Sequence, residues 1–140
     1  MTQIIEVWSE PRSDKVIVLA NNEPAGVTGP VGPIIKMYRQ ERRFQCIKRG
    51  PTGESRVLIE VTDDPQLESV GQSSAVWMPL GYFIINSTTA SVTVEGDIIS
   101  NPEGANNYLS CGFCHTCAWL YVRCNIIAHT GDPIMVLFGV

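Results

Sequence analysis

Apolar and polar residues alternate with a period of two along most of this chain. The run Ala90-Ser-Val-Thr-Val-Glu95 alternates throughout. In Val57–Thr62 the side chains of Val57, Ile59 and Val61 fall on one face, and those of Leu58, Glu60 and Thr62 on the other. Further strand-like runs occupy Ile4–Trp8, Val16–Ala20, Ile34–Met37, Phe44–Ile47, Ala75–Ile85 and Ala118–Ala128. Ile134–Phe138 is apolar on both faces, which predicts a strand in the middle of a sandwich. Turn-forming clusters separate the runs: Asn21–Pro24, Gly50–Gly53, Thr62–Pro65, Asn101–Gly104 and His129–Pro133. No window has the spacing and caps of an amphipathic helix. Only Ile35–Ile47 is open to two readings, a pair of strands or a short basic helix.

Many short strands between frequent turns predict an all-β fold. The expected architecture is a single antiparallel β-sandwich, jelly-roll or immunoglobulin-like, with residues 1–140 forming one domain. Gly26-Val-Thr-Gly29-Pro-Val-Gly32-Pro33 has glycines three apart, but too few triplets for a collagen helix. It reads as a loop or arm, and residues 1–50 as an N-terminal arm or hairpin extension.

Composition narrows the class. Charged residues are 17% of the 140-residue chain against 44% hydrophobic, the reverse of a disordered protein. No apolar stretch is long enough to span a bilayer as a helix, and Met1–Arg12 lacks the basic and apolar regions of an export leader. A soluble, unexported chain without membrane contact is expected, with its sparsely charged surface partly covered by other subunits.

The net charge of −4 hides an asymmetry. Residues 1–56 carry +3 and residues 57–140 carry −7, with Arg123 the only Lys or Arg of the second part. Lys36, Arg39, Arg42, Arg43, Lys48 and Arg49 are therefore candidate contacts with an acidic protein partner. The competing reading is a solvated edge hairpin whose charges block unwanted strand pairing. Nucleic acid is not an expected partner, because Glu41 and Glu54 interrupt the cluster and only Tyr38 and Phe44 could stack on bases.

Cys111-Gly-Phe-Cys114-His115-Thr-Cys117, with Cys124, gathers thiols and an imidazole in one segment. Cys-x-x-Cys-His is the spacing of covalent haem attachment, but the strand pattern and missing leader do not suit it. Zinc takes ligands in two separated pairs, and there is no second pair. Reduced thiols are the expectation, with Cys124 a small buried hydrophobe alongside Val122 and Ile126 and with Cys111 and Cys114 in a loop before the strand. Neither His115 nor His129 has an assignable orienting partner, and phosphate-binding and dinucleotide-binding glycine motifs are absent. No catalytic residue, cofactor site or metal site is assigned, and no enzyme is expected.

Two stretches carry a family resemblance: Val57-Leu-Ile-Glu-Val-Thr-Asp-Asp64, and Trp119-Leu-Tyr121-Val-Arg123-Cys-Asn125 followed by His129-Thr-Gly131-Asp and Pro133–Val140. This order resembles small β-sandwich virion proteins of tailed bacteriophages, in which a strand with an acidic turn precedes a Trp-x-Tyr-Val-Arg-x-Asn hairpin and a short apolar final strand. The resemblance covers residues 57–64 and 117–140. It implies a non-enzymatic capsid decoration or cement protein, a homotrimer bound to the major capsid protein on the virion surface and assembled in the host cytoplasm. Head–tail connector, tail and fibre-base proteins are alternatives within that group. A zinc-stabilised binding module built on Cys111, Cys114, Cys117 and Cys124 is the alternative from another class. Trp119, Tyr121 and Arg123 share a strand face and are candidate core or subunit-interface residues, with the guanidinium expected near one of the two rings.

Overall fold

The computed structural model describes residues 3–7, 16–37, 40–86, 90–94, 97–101, 109–117 and 119–139. Eleven strands are present: β1 (Ile4–Val7), β2 (Val16–Glu23), β3 (Gly29–Met37), β4 (Gln40–Lys48), β5 (Ser55–Thr62), β6 (Met78–Ile85), β7 (Ala90–Val94), β8 (Asp97–Asn101), β9 (Leu109–Cys117), β10 (Tyr121–His129) and β11 (Ile134–Gly139). They form a seven-stranded sheet, β1-β3-β10-β5-β6-β7-β8, and a four-stranded sheet, β2-β11-β4-β9. The two sheets pack face to face as the all-β sandwich that the alternation predicts.

The inner faces follow the period-two pattern. Val57, Ile59 and Val61 of β5 are buried, as are Val122, Cys124 and Ile126 of β10 beside them. From the other sheet come Phe44, Val136 and Phe138. Phe113 of β9 packs on Phe44 at 4.9 Å and Phe83 at 5.6 Å between ring centres, so the aromatic contacts cross between the sheets. β11 lies between β2 and β4, with Ile134, Val136 and Phe138 buried on the inner face and Met135 and Leu137 half-buried on the outer one.

Two features differ from the sequence reading, and one choice it leaves open is decided. The Gly/Pro stretch is not an arm: Gly29–Pro33 belongs to β3, between β1 and β10, and the described residues before 50 contribute strands to both sheets. Gly32 is required there, because its φ is +69° and an added Cβ would lie 1.9 Å from the Leu19 carbonyl oxygen of β2. A bulge opposite Arg123 absorbs the irregular Gly32-Pro33 segment. Second, the choice left open over Ile35–Ile47 falls to strands in the described residues, 35–37 in β3 and 40–47 in β4. Third, one strand pair is parallel. β2 lies in the opposite sheet between β1 and β3, so the chain reverses twice and re-enters the first sheet in its original direction.

The segment after β5 carries a one-turn helix, α1 (Gln66–Ser69), and a 3-10 turn at Gln72–Ser74. Asp64 fastens it by accepting the backbone N–H groups of Gln66 and Val76, both at 2.9 Å. Leu67, Ala75 and Trp77 cover Ile34 and Tyr121 on the outer face of the larger sheet. That second small core explains why Ala75–Trp77 reads as apolar without being strand.

Candidate docking face and the buried polar cluster

The six candidate basic residues do not form one face. Lys36 lies on the outer face of the larger sheet, 3.2 Å from Glu68. Arg39 lies outside the described residues. Arg42 and Lys48 are buried at 1% and 0% exposure, which removes them from any surface contact of the free chain. The cause is strand phase: Arg42, Phe44, Cys46 and Lys48 are spaced by two, so all four point inward. Arg43 and Arg49 remain exposed, on the outer face of the four-stranded sheet.

Lys48 is the centre of a polar cluster at one end of the sandwich. Its ammonium donates to Ser55 Oγ at 2.8 Å, the Thr130 carbonyl at 2.7 Å and the Asp132 carbonyl at 3.1 Å, using all three protons. Ser55 Oγ lies 2.8 Å from His129 Nδ1, and His129 Nε2 lies 2.7 Å from the Glu23 carbonyl oxygen. A carbonyl can only accept, so Nε2 carries the proton and the neutral ring accepts the Ser55 hydroxyl at Nδ1. The chain of bonds thus runs from β4 through β5 and β10 to β2, crossing between the sheets twice. Burial lowers the basicity of both Lys48 and His129, and the Lys48 charge lowers that of His129 further.

His129 reaches this cluster through a bulge. Ile126 pairs with Val57 and Ala128 with Arg56, leaving Ile127 unpaired against β5 and exposed. The extra residue reverses the phase, so His129 joins Ser55 on the inner face. Straight alternation from Tyr121 would have put it outside, and the sequence reading had placed it in a turn. A serine beside a histidine has the parts of a nucleophile and its base. Here the serine oxygen also accepts from a buried ammonium, and the far ring nitrogen is held by a carbonyl. Every group in the cluster is engaged in joining the sheets.

The same strand geometry turns Cys114 away from the buried thiols. Cys111 and Cys114 lie in β9, not in a loop, and three residues apart on a strand they face opposite sides. Cys111 is buried and Cys114 exposed. Cys46 stands directly across from Cys111 in the ladder, and Cys124 is buried in the opposite sheet. Burial raises Cys111 to about 12 and pushes Cys46 and Cys124 up as well. Among the described residues no three His, Cys, Asp or Glu side chains converge on a point that could hold a metal. An extended strand turns Cys111 and Cys114 to opposite faces, so these two thiols do not meet at a common ligand. The Cys117 side chain lies outside the described residues.

On the outer face of the larger sheet, Arg123 donates to Glu60 at 3.0 Å, and Asn125 donates to the same carboxylate oxygen at 2.9 Å. The Arg123 guanidinium lies 4.2 Å from the ring centre of Trp77, and not against Tyr121 or Trp119 as the strand spacing suggests. Trp119 packs on the main core, while the Tyr121 hydroxyl donates to Glu68 beside Lys36. The segment 63–77 folds back over the sheet and supplies the stacking ring, a contact with no local signal in the sequence.

The outer face of the four-stranded sheet has a different character. Two cross-strand rows run Val16–Gly139–Arg43–Cys114 and Val18–Leu137–Gln45–Gly112. They border an open cavity of about 680 Å³ whose lining includes Val16, Arg43, Gln45, Gly112, Cys114 and Leu137, with no acid among the described lining residues. The Arg43 side chain lies across Gly139, where an added Cβ would come 2.2 Å from Arg43 Nε and 2.7 Å from Cγ. Gln45 Nε2 donates to Ser110 Oγ at 2.8 Å on the far side. Arg49 is held along the sheet by Asn22 Oδ1 at 3.1 Å. Among the described side chains this face is apolar and carries two cations, Arg43 and Arg49.

No family model, curated protein or solved structure matches the chain.

Proposed function

We propose that this chain is a non-enzymatic structural protein that works by docking, and that it serves as a decoration protein on the capsid of a tailed bacteriophage. The observation that carries the docking reading is the outer face of the four-stranded sheet. There Arg43 and Arg49 stand among Val16, Val18, Met135 and Leu137, and no carboxylate pairs with either cation among the described residues. An acidic, partly apolar surface of the major capsid protein would complement it. The capsid assignment rests on the hairpin and acidic-turn resemblance of residues 57–64 and 117–140. A homotrimer would multiply a modest contact by avidity, since three faces must detach together.

The test is a native mass spectrum of the reduced protein. A metal-free trimer is the expected species. A larger closed ring would move the protein to the head–tail connector. A monomer carrying one zinc per chain would overturn the reading in favour of a metal-stabilised module.

A further inference from the structure

We infer that the cavity on the outer face of the four-stranded sheet is a binding site for a small amphiphilic carboxylate, an apolar ring or short chain bearing one negative charge. Its volume, about 680 Å³, lies in the range of small-molecule sites rather than of packing defects. Its shape comes from the sequence. Gly112 and Gly139 stand in the two cross-strand rows where side chains would otherwise rise from the sheet. A Cβ at Gly112 would come within 2.7 Å of the Phe44 carbonyl oxygen and beside Gln45, so residue 112 is held to glycine and the floor stays flat. With Arg43 lying across Gly139 and with Val16 and Leu137 in the lining, the cavity suits a planar or extended apolar body beside a cation.

The polar groups at the rim define the charge. Arg43 is the only cationic side chain among the described residues of the lining. Its stem is supported by Gly139, and no carboxylate or other acceptor engages its guanidinium among the described residues. The Gln45 amide and Ser110 hydroxyl already bond to each other. One forked cation, with no acid among the described lining residues, matches a single carboxylate, bound by two parallel N–H···O bonds, better than a multiply charged phosphate. The site does not depend on the docking reading and would exist in the free protein.

The experiment is an NMR titration of the isotopically labelled protein with 2-naphthoate and, separately, with its uncharged isostere 2-naphthamide. Both probes should shift the backbone amides of Arg43, Gly112, Leu137 and Gly139. The carboxylate should bind about tenfold more tightly than the amide, the fold-change expected of one charge-assisted pair. Arg43→Gln should erase that difference while leaving 2-naphthamide binding and the protein's melting temperature unchanged. Leu137→Asp, which places a carboxylate in the cavity, should abolish 2-naphthoate binding. If neither probe perturbs these amides at millimolar concentration, there is no such site. Equal affinities for acid and amide, or a preference that survives Arg43→Gln, would overturn the carboxylate assignment.

Discussion

The Lys48 ammonium donates to the Ser55 hydroxyl at 2.8 Å inside the sandwich, joining a strand of the four-stranded sheet to one of the seven-stranded sheet. A buried cation is costly unless each of its protons finds an acceptor, and here each does. Lys48→Met keeps the length of the side chain but leaves Ser55 and two carbonyl groups without a donor. It should lower stability by about 3 kcal/mol, read as a fall in the urea midpoint at unchanged slope. A midpoint equal to that of the unchanged protein would show that the cluster does not hold the sheets together.

His129 makes the same cluster sensitive to acid. Its ring is neutral in the fold, and burial beside Lys48 sets its pKa below the ordinary 6.5. Between those two values the unfolded chain binds the extra proton and the folded one does not, so stability rises with pH across that window. The contribution is complete above 6.5 and lost as pH falls through the folded value. Urea denaturation at pH 7.5 and at pH 5 should show this loss, and His129→Gln should flatten it. Asp64 and Asp132, held ionised by backbone and hydroxyl donors, act only below the ordinary carboxylate range, so their effect is separable.

The thiols should divide by strand face. A pulse of iodoacetamide at pH 8, followed by peptide mapping, should label Cys114 while Cys46, Cys111 and Cys124 react only after denaturation. Rapid native labelling of Cys124 would contradict its place in the core.

Gly131 tests the interlocked turns that close the cluster. Its φ is +77°, and a Cβ there would approach the Thr52 carbonyl oxygen to 2.0 Å. Thr52 and Asp132 meet at the same point through bonds of 2.9 and 2.7 Å. Gly131→Ala should cost about 2 kcal/mol or more, combining left-handed strain with a displaced backbone. A thermal melt within a degree of the unchanged protein would rule out this close approach.

Much of the fold is legible in the sequence because period-two burial is a local property. Val57, Ile59 and Val61, the core place of Cys124, and the central position of Ile134–Phe138 all follow from it. What escapes is set by contacts between distant segments or by breaks in phase. The bulge at Ile127 turns His129 inward, and the Gly32-Pro33 irregularity disguises β3 as a loop. Trp77 reaches Arg123 only because the segment after β5 folds back. The inward course of Arg42 and Lys48 was readable from their spacing to Phe44 and Cys46, but their charge pointed to the surface. Among the described residues of the candidate contact set, Arg43 and Arg49 alone lie on the exposed outer face of the four-stranded sheet, and that face is the docking surface proposed.

The most direct measurement is co-sedimentation with capsids assembled from the major capsid protein of the same genome, comparing the unchanged protein with the double variant Arg43→Glu/Arg49→Glu. Both side chains are exposed, so the variant should keep its melting temperature. The account predicts that the unchanged protein pellets with the capsids and that the variant loses most of that occupancy. Equal occupancy of the two proteins, or none by either, would contradict it.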